Sequence, residues 1–409
     1  MLERLKSLLL ALLACSALFL FYQIWINESA LLQQSSVTIS DPAPELWELK
    51  PAAQPVAVSD YRDSRRMAAL WDSESVNRVM PLLSQTLGEA LGSAGVPQAV
   101  EAEEWKAALM KESVYLQYAH PVSLQALGAW SSAESSLSAL ARRILLSSQD
   151  GLWCIYYEDE AGRYFSCITA APAHWPELDL PEPCFLAWRN PHESFQKLHP
   201  LTLLPQRDRK PPDVAVTLPA MTETVYALLR DIRIDPGTPF KNKEADGTVM
   251  YVDYLRLCLV SPTGFISYSN PAPEEHPLLA VTDIPEHGYI ETTRALCQQL
   301  QPELGDGEWS LRMAETLPNG QTVILYSVLV GGYPVQGQSS AYARFVIEDG
   351  RLSEFAIQLK CYTLQQSVTA LLPLAQALAP LKQTPVSLVM GYADEGGELL
   401  HGAWIQEGR

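Results

Sequence analysis

The chain has 409 residues and a formal net charge of −18, with 47 Asp and Glu against 29 Lys and Arg. Nucleic-acid binders carry a basic patch or stripe; the nearest approach to one, Arg207-Asp208-Arg209-Lys210, is short and interrupted, so no nucleic-acid partner is expected. Seven cysteines without a Cys-x-x-Cys pair argue against a zinc framework, and they are too sparse to staple a chain long enough to bury ample core.

The first element predicted is a transmembrane helix over 7–27. SLLLALLACSALFLFYQIWIN holds no Asp, Glu, Lys or Arg. A helix of that length rises about 30 Å, the thickness of a bilayer's hydrocarbon core. Arg4 and Lys6 precede it and Glu28 follows, so the positive-inside bias leaves residues 1–6 as a cytoplasmic tail and the bulk outside the cell membrane. Tyr22 and Trp25 lie near the outer end, where amphipathic rings prefer the interface. A cleaved signal would have a shorter apolar core and a small-x-small site; Ile24, Trp25 and Ile26 are poor cleavage neighbours. Leu12-Leu13-Ala14-Cys15 loosely resembles a lipobox, yet cleavage there would leave a tether followed by apolar residues. Ser7, Ala11, Ala14 and Leu18 run at helical spacing, with Cys15 and Ala17 nearby. They form a candidate helix–helix contact face, because helices in lipid associate by close packing of small residues.

Residues 28–66 read as a stalk, with Pro42, Pro44, Pro51 and Pro55 holding it extended. An N-terminal α+β domain is expected over 67–205. Val76, Val79, Met80, Leu83, Leu87 and Leu91 predict a helix capped by Ser73 or Ser75 and kinked or split at Pro81. Glu101–Lys111 predicts a second helix and Ser113–Ala119 a strand. Residues 151–169 predict a hairpin around Asp159–Gly162, with Cys154 and Cys167 on opposite arms. A two-residue loop would set the two cysteines opposite one another. A three-residue loop with Gly162 left-handed would turn them to opposite faces, and Glu-Ala, a poor two-residue turn, favours that case. Ten prolines between 171 and 220 predict a long irregular connection.

A middle domain is expected over 206–285, with a helix at Met221–Asp231 and strands at Thr248–Val260 and Gly264–Ser269. A C-terminal α+β domain is expected over 286–409. Its predicted order is a helix at Ile290–Leu300, strands at Trp309–Thr316, Gln321–Val330, Ala341–Ile347 and Leu352–Lys360, a short helix within Thr369–Leu381, and a closing hairpin at Ser387–Tyr392 and Leu399–Ile405. The fold class expected is therefore α+β with antiparallel sheets and short helices behind one membrane span.

Signatures of catalysis are scarce. There is no Gly-x-Ser-x-Gly, no His-Glu-x-x-His and no phosphate-loop pattern. Ser194-Phe195-Gln196-Lys197 matches Ser-x-x-Lys, but Lys-Thr-Gly and Ser-Asp-Asn are missing, so no catalytic residue is assigned. His192, His199, His276 and His287 read as solvated surface residues rather than metal ligands, and the acidic run Tyr157–Glu160 as a solvated loop tip. No catalytic, cofactor-binding or metal residue is expected, and no cofactor.

Several short motifs resemble the YycH/YycI regulators of Gram-positive bacteria. They are Leu83–Gly92 (LSQTLGEALG), Glu104-Trp105, Ser113–Tyr118 (SVYLQY), Asn319-Gly320, Gly332-Tyr333-Pro334-Val335, Glu348-Asp349-Gly350-Arg351, and Tyr392 with Trp404 in the closing hairpin. The resemblance covers most of the chain and departs from the family in the proline-rich 171–220 stretch and in the six cysteines beyond the anchor. It implies a non-enzymatic, membrane-anchored regulator that adjusts the sensor histidine kinase of a YycFG (WalKR-type) two-component system governing cell-wall metabolism. It also implies contacts through the membrane helix and partnership with a sister regulator of the YycI type. The alternative expectation is a membrane-tethered extracytoplasmic module that binds a small molecule or a cell-wall fragment.

Overall fold

In a computed structural model of the chain, the described residues are 53–206, 210–219, 221–232, 234, 241–253, 255–273, 286–337, 341–379 and 388–406. Lys50–Arg409 form one compact unit. The folded body begins earlier than Met67. β1 (Pro55–Arg62) and β2 (Arg65–Leu70) form a hairpin through Asp63 and Ser64, both at positive φ. The expected stalk thus ends in a buried strand, with Val56, Ala57 and Val58 in the core. Pro55 does not prevent this, because the first position of a strand needs no ladder donor.

A single helix covers Ser73–Gly92. Its cap is Asp72, whose carboxylate accepts the Ser75 N–H at 3.1 Å, instead of either predicted serine. Val76, Val79, Met80, Leu83, Leu87 and Leu91 are all buried, as their spacing predicts. Pro81 does not split the helix. It lies on the exposed face, where water can satisfy the carbonyl of Asn77 that loses its donor.

Seven further strands complete a nine-stranded antiparallel sheet. They are β3 (Gln98–Val100), β4 (Ser113–Ser123), β5 (Leu140–Gln149), β6 (Leu152–Asp159), β7 (Tyr164–Pro172), β8 (Glu182–Leu186) and β9 (Leu203–Pro205), in the order β3-β7-β6-β5-β4-β1-β2-β8-β9. β4 is buried over seven consecutive residues from Ser113 to Ala119, so both its faces are covered. The helix Ala102–Leu109 supplies Trp105, whose ring packs edge-on to Tyr115 at 6.3 Å. Between β6 and β7, Gly162 takes φ +75° and the Gly162 N–H donates to Asp159 O, closing a three-residue loop. Ile155 therefore faces Cys167 and Cys154 faces Ile168, so the two thiols are out of register; both are free and buried. β5 and the helix Leu124–Trp130 were not foreseen. Arg142-Arg143 interrupts the apolar run of β5, and its partner Glu158 on β6 helps make a buried Arg143 tolerable.

The second half builds two sheets. β10 (Pro212–Thr217), a helix at Thr222–Asp231, β11 (Lys241–Lys243), β12 (Val249–Asp253), β13 (Arg256–Val260) and β14 (Phe265–Ser269) come first. The single strand predicted over Thr248–Val260 is thus itself a hairpin, turning between Asp253 and Arg256. A helix at Glu286–Gln299 leads into β15 (Gly307–Thr316), β16 (Thr322–Val330), β17 (Tyr333–Gly337), β18 (Ala343–Glu348), β19 (Arg351–Gln358) and β20 (Cys361–Val368). A short helix at Leu374–Leu378 starts directly after Pro373, and β21 (Leu388–Asp394), β22 (Leu399–Leu400) and β23 (Gly402–Gln406) close the body. The large sheet runs β11-β12-β13-β14-β19-β18-β16-β17-β21-β23, with β15 beside β16. One pair, β17 with β21, is parallel. β10 is sandwiched between β20 and β22 in a small third sheet. Strands from 206–285 thus pair directly with strands from 286–409. The body is α+β with antiparallel sheets and few helices, as the patterning predicts.

Candidate functional site: an aromatic cleft and three polar clusters

The proline-rich connection does more than span a gap. Through β8 and two short 3-10 turns at Ala187–Arg189 and Glu193–Lys197 it forms one wall of a cleft of about 330 Å³. The other wall comes from Leu371–Leu374, Met390 on β21 and Trp404 on β23. A small apolar cluster of Ala187, Leu198, Leu204, Leu378 and Leu388 forms the floor, and Phe185, Phe195, Leu374 and Trp404 pack on it. The ring positions are fixed by neighbours. Phe195 lies edge-on to Phe185 at 6.1 Å and to His192 at 6.0 Å. Trp404 lies edge-on to Trp71 at 6.5 Å, and its indole N–H donates to Leu372 O at 2.9 Å. Asn190, Gln206 and Lys210 complete the lining.

The Ser-x-x-Lys match falls in this wall and is structural. Lys197 Nζ donates to Leu378 O at 3.1 Å and Ala379 O at 2.9 Å, tying the helix Leu374–Leu378 to the connection. His192 caps the second 3-10 turn by accepting the Ser194 N–H.

The second feature is a buried ionic cluster. Arg143 Nη1 lies 2.7 Å from Glu158 Oε2, and His199 Nε2 lies 3.0 Å from Glu158 Oε1. Tyr164 Oη sits 3.5 Å from the same histidine nitrogen. His199 Nδ1 accepts the Leu201 N–H, so the ring proton belongs on Nε2, where it donates to Glu158. Burial disfavours the Glu158 carboxylate, but the hydrogen bond from His199 and the charge of Arg143 outweigh it and hold the carboxyl down at about 2. Burial, aided by Arg143, keeps His199 below the ordinary imidazole value and therefore neutral at pH 7. Two sequence expectations are corrected by this cluster. Glu158 belongs to a strand and is 6% exposed, and His199 is 9% exposed, so neither is a solvated surface group. These polar side chains are buried because partners elsewhere in the chain meet them.

Two further clusters tie the second half together. Asp394 accepts from Lys360 Nζ at 2.6 Å, from Tyr342 Oη at 2.9 Å and from the Gly396 N–H at 3.0 Å. His401 Nδ1 lies 2.9 Å from both Asp213 Oδ1 and Thr369 Oγ1. The hydrogen bond from His401 lowers the Asp213 carboxyl. A hydrolytic triad needs carboxylate and nucleophile on opposite ring nitrogens; both partners here share one, so this is not a nucleophile-activating arrangement. Among the described residues no group of three or more His, Cys, Asp and Glu side chains could hold a metal ion.

Arg4, Lys6, Tyr22, Trp25 and the face of Ser7, Ala11, Ala14 and Leu18 lie outside the described residues, as does His276. Among the described residues no helix is long and apolar enough to cross a membrane. Sequence reasoning missed the cleft. Phe185 and Phe195 sit in a stretch whose prolines announce irregularity and nothing about enclosure, and Lys210 appeared only as the end of a broken basic run. Compared with protein-family models, with curated proteins and with solved structures, the chain finds no match.

Proposed function

We propose that this chain is a non-enzymatic, single-pass membrane protein whose extracytoplasmic body modulates a sensor histidine kinase controlling cell-wall metabolism. The observation that carries this is the uncharged run at 7–27, bounded by Arg4 and Lys6 on one side and Glu28 on the other. The resemblance to the YycH/YycI family supplies the kinase and the sister regulator. An α+β body with antiparallel sheets agrees with what that resemblance implies.

The test is co-purification from intact membranes. Ala11→Leu and Ala14→Leu enlarge the small-residue face and should weaken recovery of a sensor kinase with the full-length chain. Unchanged recovery overturns the contact face, and protection of the body from protease added to whole cells overturns the topology.

The aromatic cleft favours a second reading, a membrane-tethered module for a small molecule or cell-wall fragment. The two readings are compatible, and they part on whether a kinase co-purifies.

A further inference from the structure

We infer that the cleft between Phe185, Phe195 and Trp404 takes a small amphipathic anion: a ring or short apolar body carrying a carboxylate or phosphate ester. This rests on the ligand-binding reading above and names the class of ligand. At 330 Å³ the cleft lies at the lower end of the range in which small-molecule sites fall, roughly 300–1,000 Å³, so it suits a single ring with a short substituent.

The walls are suited to the apolar part. Phe185, Phe195, Trp404 and Pro373 present ring faces and edges, and each aromatic is already held by a neighbouring ring, a hydrogen bond or the apolar floor. Side chains ordered before the ligand arrives leave less entropy to lose on binding.

The polar lining selects the charge. Among the described residues that line the cleft, Lys210 is the one charged side chain and none is Asp or Glu. In a chain of net charge −18, most of the surface repels anions, whereas here an ammonium group stands beside an apolar wall. Asn190 already spends its carbonyl oxygen on the His192 N–H, which leaves its NH₂ to donate outward. Gln206 adds a second amide to the lining. A ligand seated on the rings would thus meet one cation and two amides among apolar walls, a few polar groups that suit a molecule with a single anionic head.

The test is a ligand-observed NMR titration of the full-length chain in lipid nanodiscs with three probes: 3-phenylpropionate, phenyl phosphate and the neutral 3-phenylpropanol. The anions should bind at least five-fold more tightly than the alcohol, and the stronger of the two identifies the head group. Lys210→Ala should abolish that preference and Lys210→Arg should retain it; position 210 is exposed, so the fold should persist. Phe195→Ala should weaken all three probes. If the alcohol binds as tightly as the anions, the anionic assignment fails while a ligand-binding cleft stands. If no probe binds the folded wild-type chain, both fail.

Discussion

Glu158 and His199 meet across 3.0 Å, and that contact fastens the proline-rich connection to the middle of the nine-stranded sheet. Neither side chain can leave without exposing a buried group on the other. Glu158 also holds Arg143, so one carboxylate secures two elements.

Stability should fall as the medium is acidified, in two stages. His199 is held below its ordinary value of 6.5, and His120 is pushed down to about 3, by burial first and by Arg312 and Arg142 after it. Below pH 6.5 the unfolded chain therefore binds protons at these rings that the folded chain does not, and stability drops by up to about 1.4 kcal/mol per pH unit for each group. Glu158, held at about 2 against an ordinary 4.5, adds a second loss between those values. Urea midpoints measured from pH 7.5 to 3 should decline throughout, and His120→Asn should flatten the first stage. An unchanged slope in that variant would rule out His120 as a contributor.

Glu158→Gln should cost about 3–5 kcal/mol, because it removes the carboxylate charge that faces the buried Arg143 at 2.7 Å. Arg163→Ala, which breaks a pair whose arginine is 71% exposed, should cost less than about 1 kcal/mol. Denaturant unfolding of the two variants side by side checks the contrast.

Gly332→Ala should destabilise the body by about 1–3 kcal/mol. Gly332 has φ +88°, and a Cβ there would come within 2.9 Å of the Asp72 and Ser73 nitrogens at the start of the first helix. The β16–β17 turn is thus seated on that helix end, with no room for a methyl group. A variant as stable as the parent would show that the turn can shift away.

Pro81→Ala should stabilise the chain by about 1–3 kcal/mol. The position is exposed and interior to the helix Ser73–Gly92, so alanine restores a donor for Asn77 O without disturbing the core. A higher thermal midpoint is the expected result.

Local patterning made most second-half strands legible. Asn319-Gly320 and Asp349-Gly350 mark tight turns that constrain register on both sides, and the paired strands follow at those positions. Gly162 likewise announced the three-residue loop that separates Cys154 from Cys167. What escaped depends on partners far away in the chain. Arg143 is buried in a strand where Glu158 meets it, and Glu158 is met in turn by His199 from the proline-rich connection. β1 reads as spacer until β2 and β4 flank it. The polar strand β20 forms because β10 pairs with it across more than 140 residues of sequence. The cleft escaped for the same reason, since Phe195 and Trp404 are neighbours only in the folded chain.

The nine-stranded sheet ends in stubs, and so does one margin of the large sheet. β3 and β9 bound the first with three residues each, and β11 bounds the second with Lys241-Asn242-Lys243. A second molecule approaching these margins finds too few open amides to zip onto, and at β11 it also meets two ammonium groups. At these three margins, molecules standing crowded at high local density have little extended chain to add strands to.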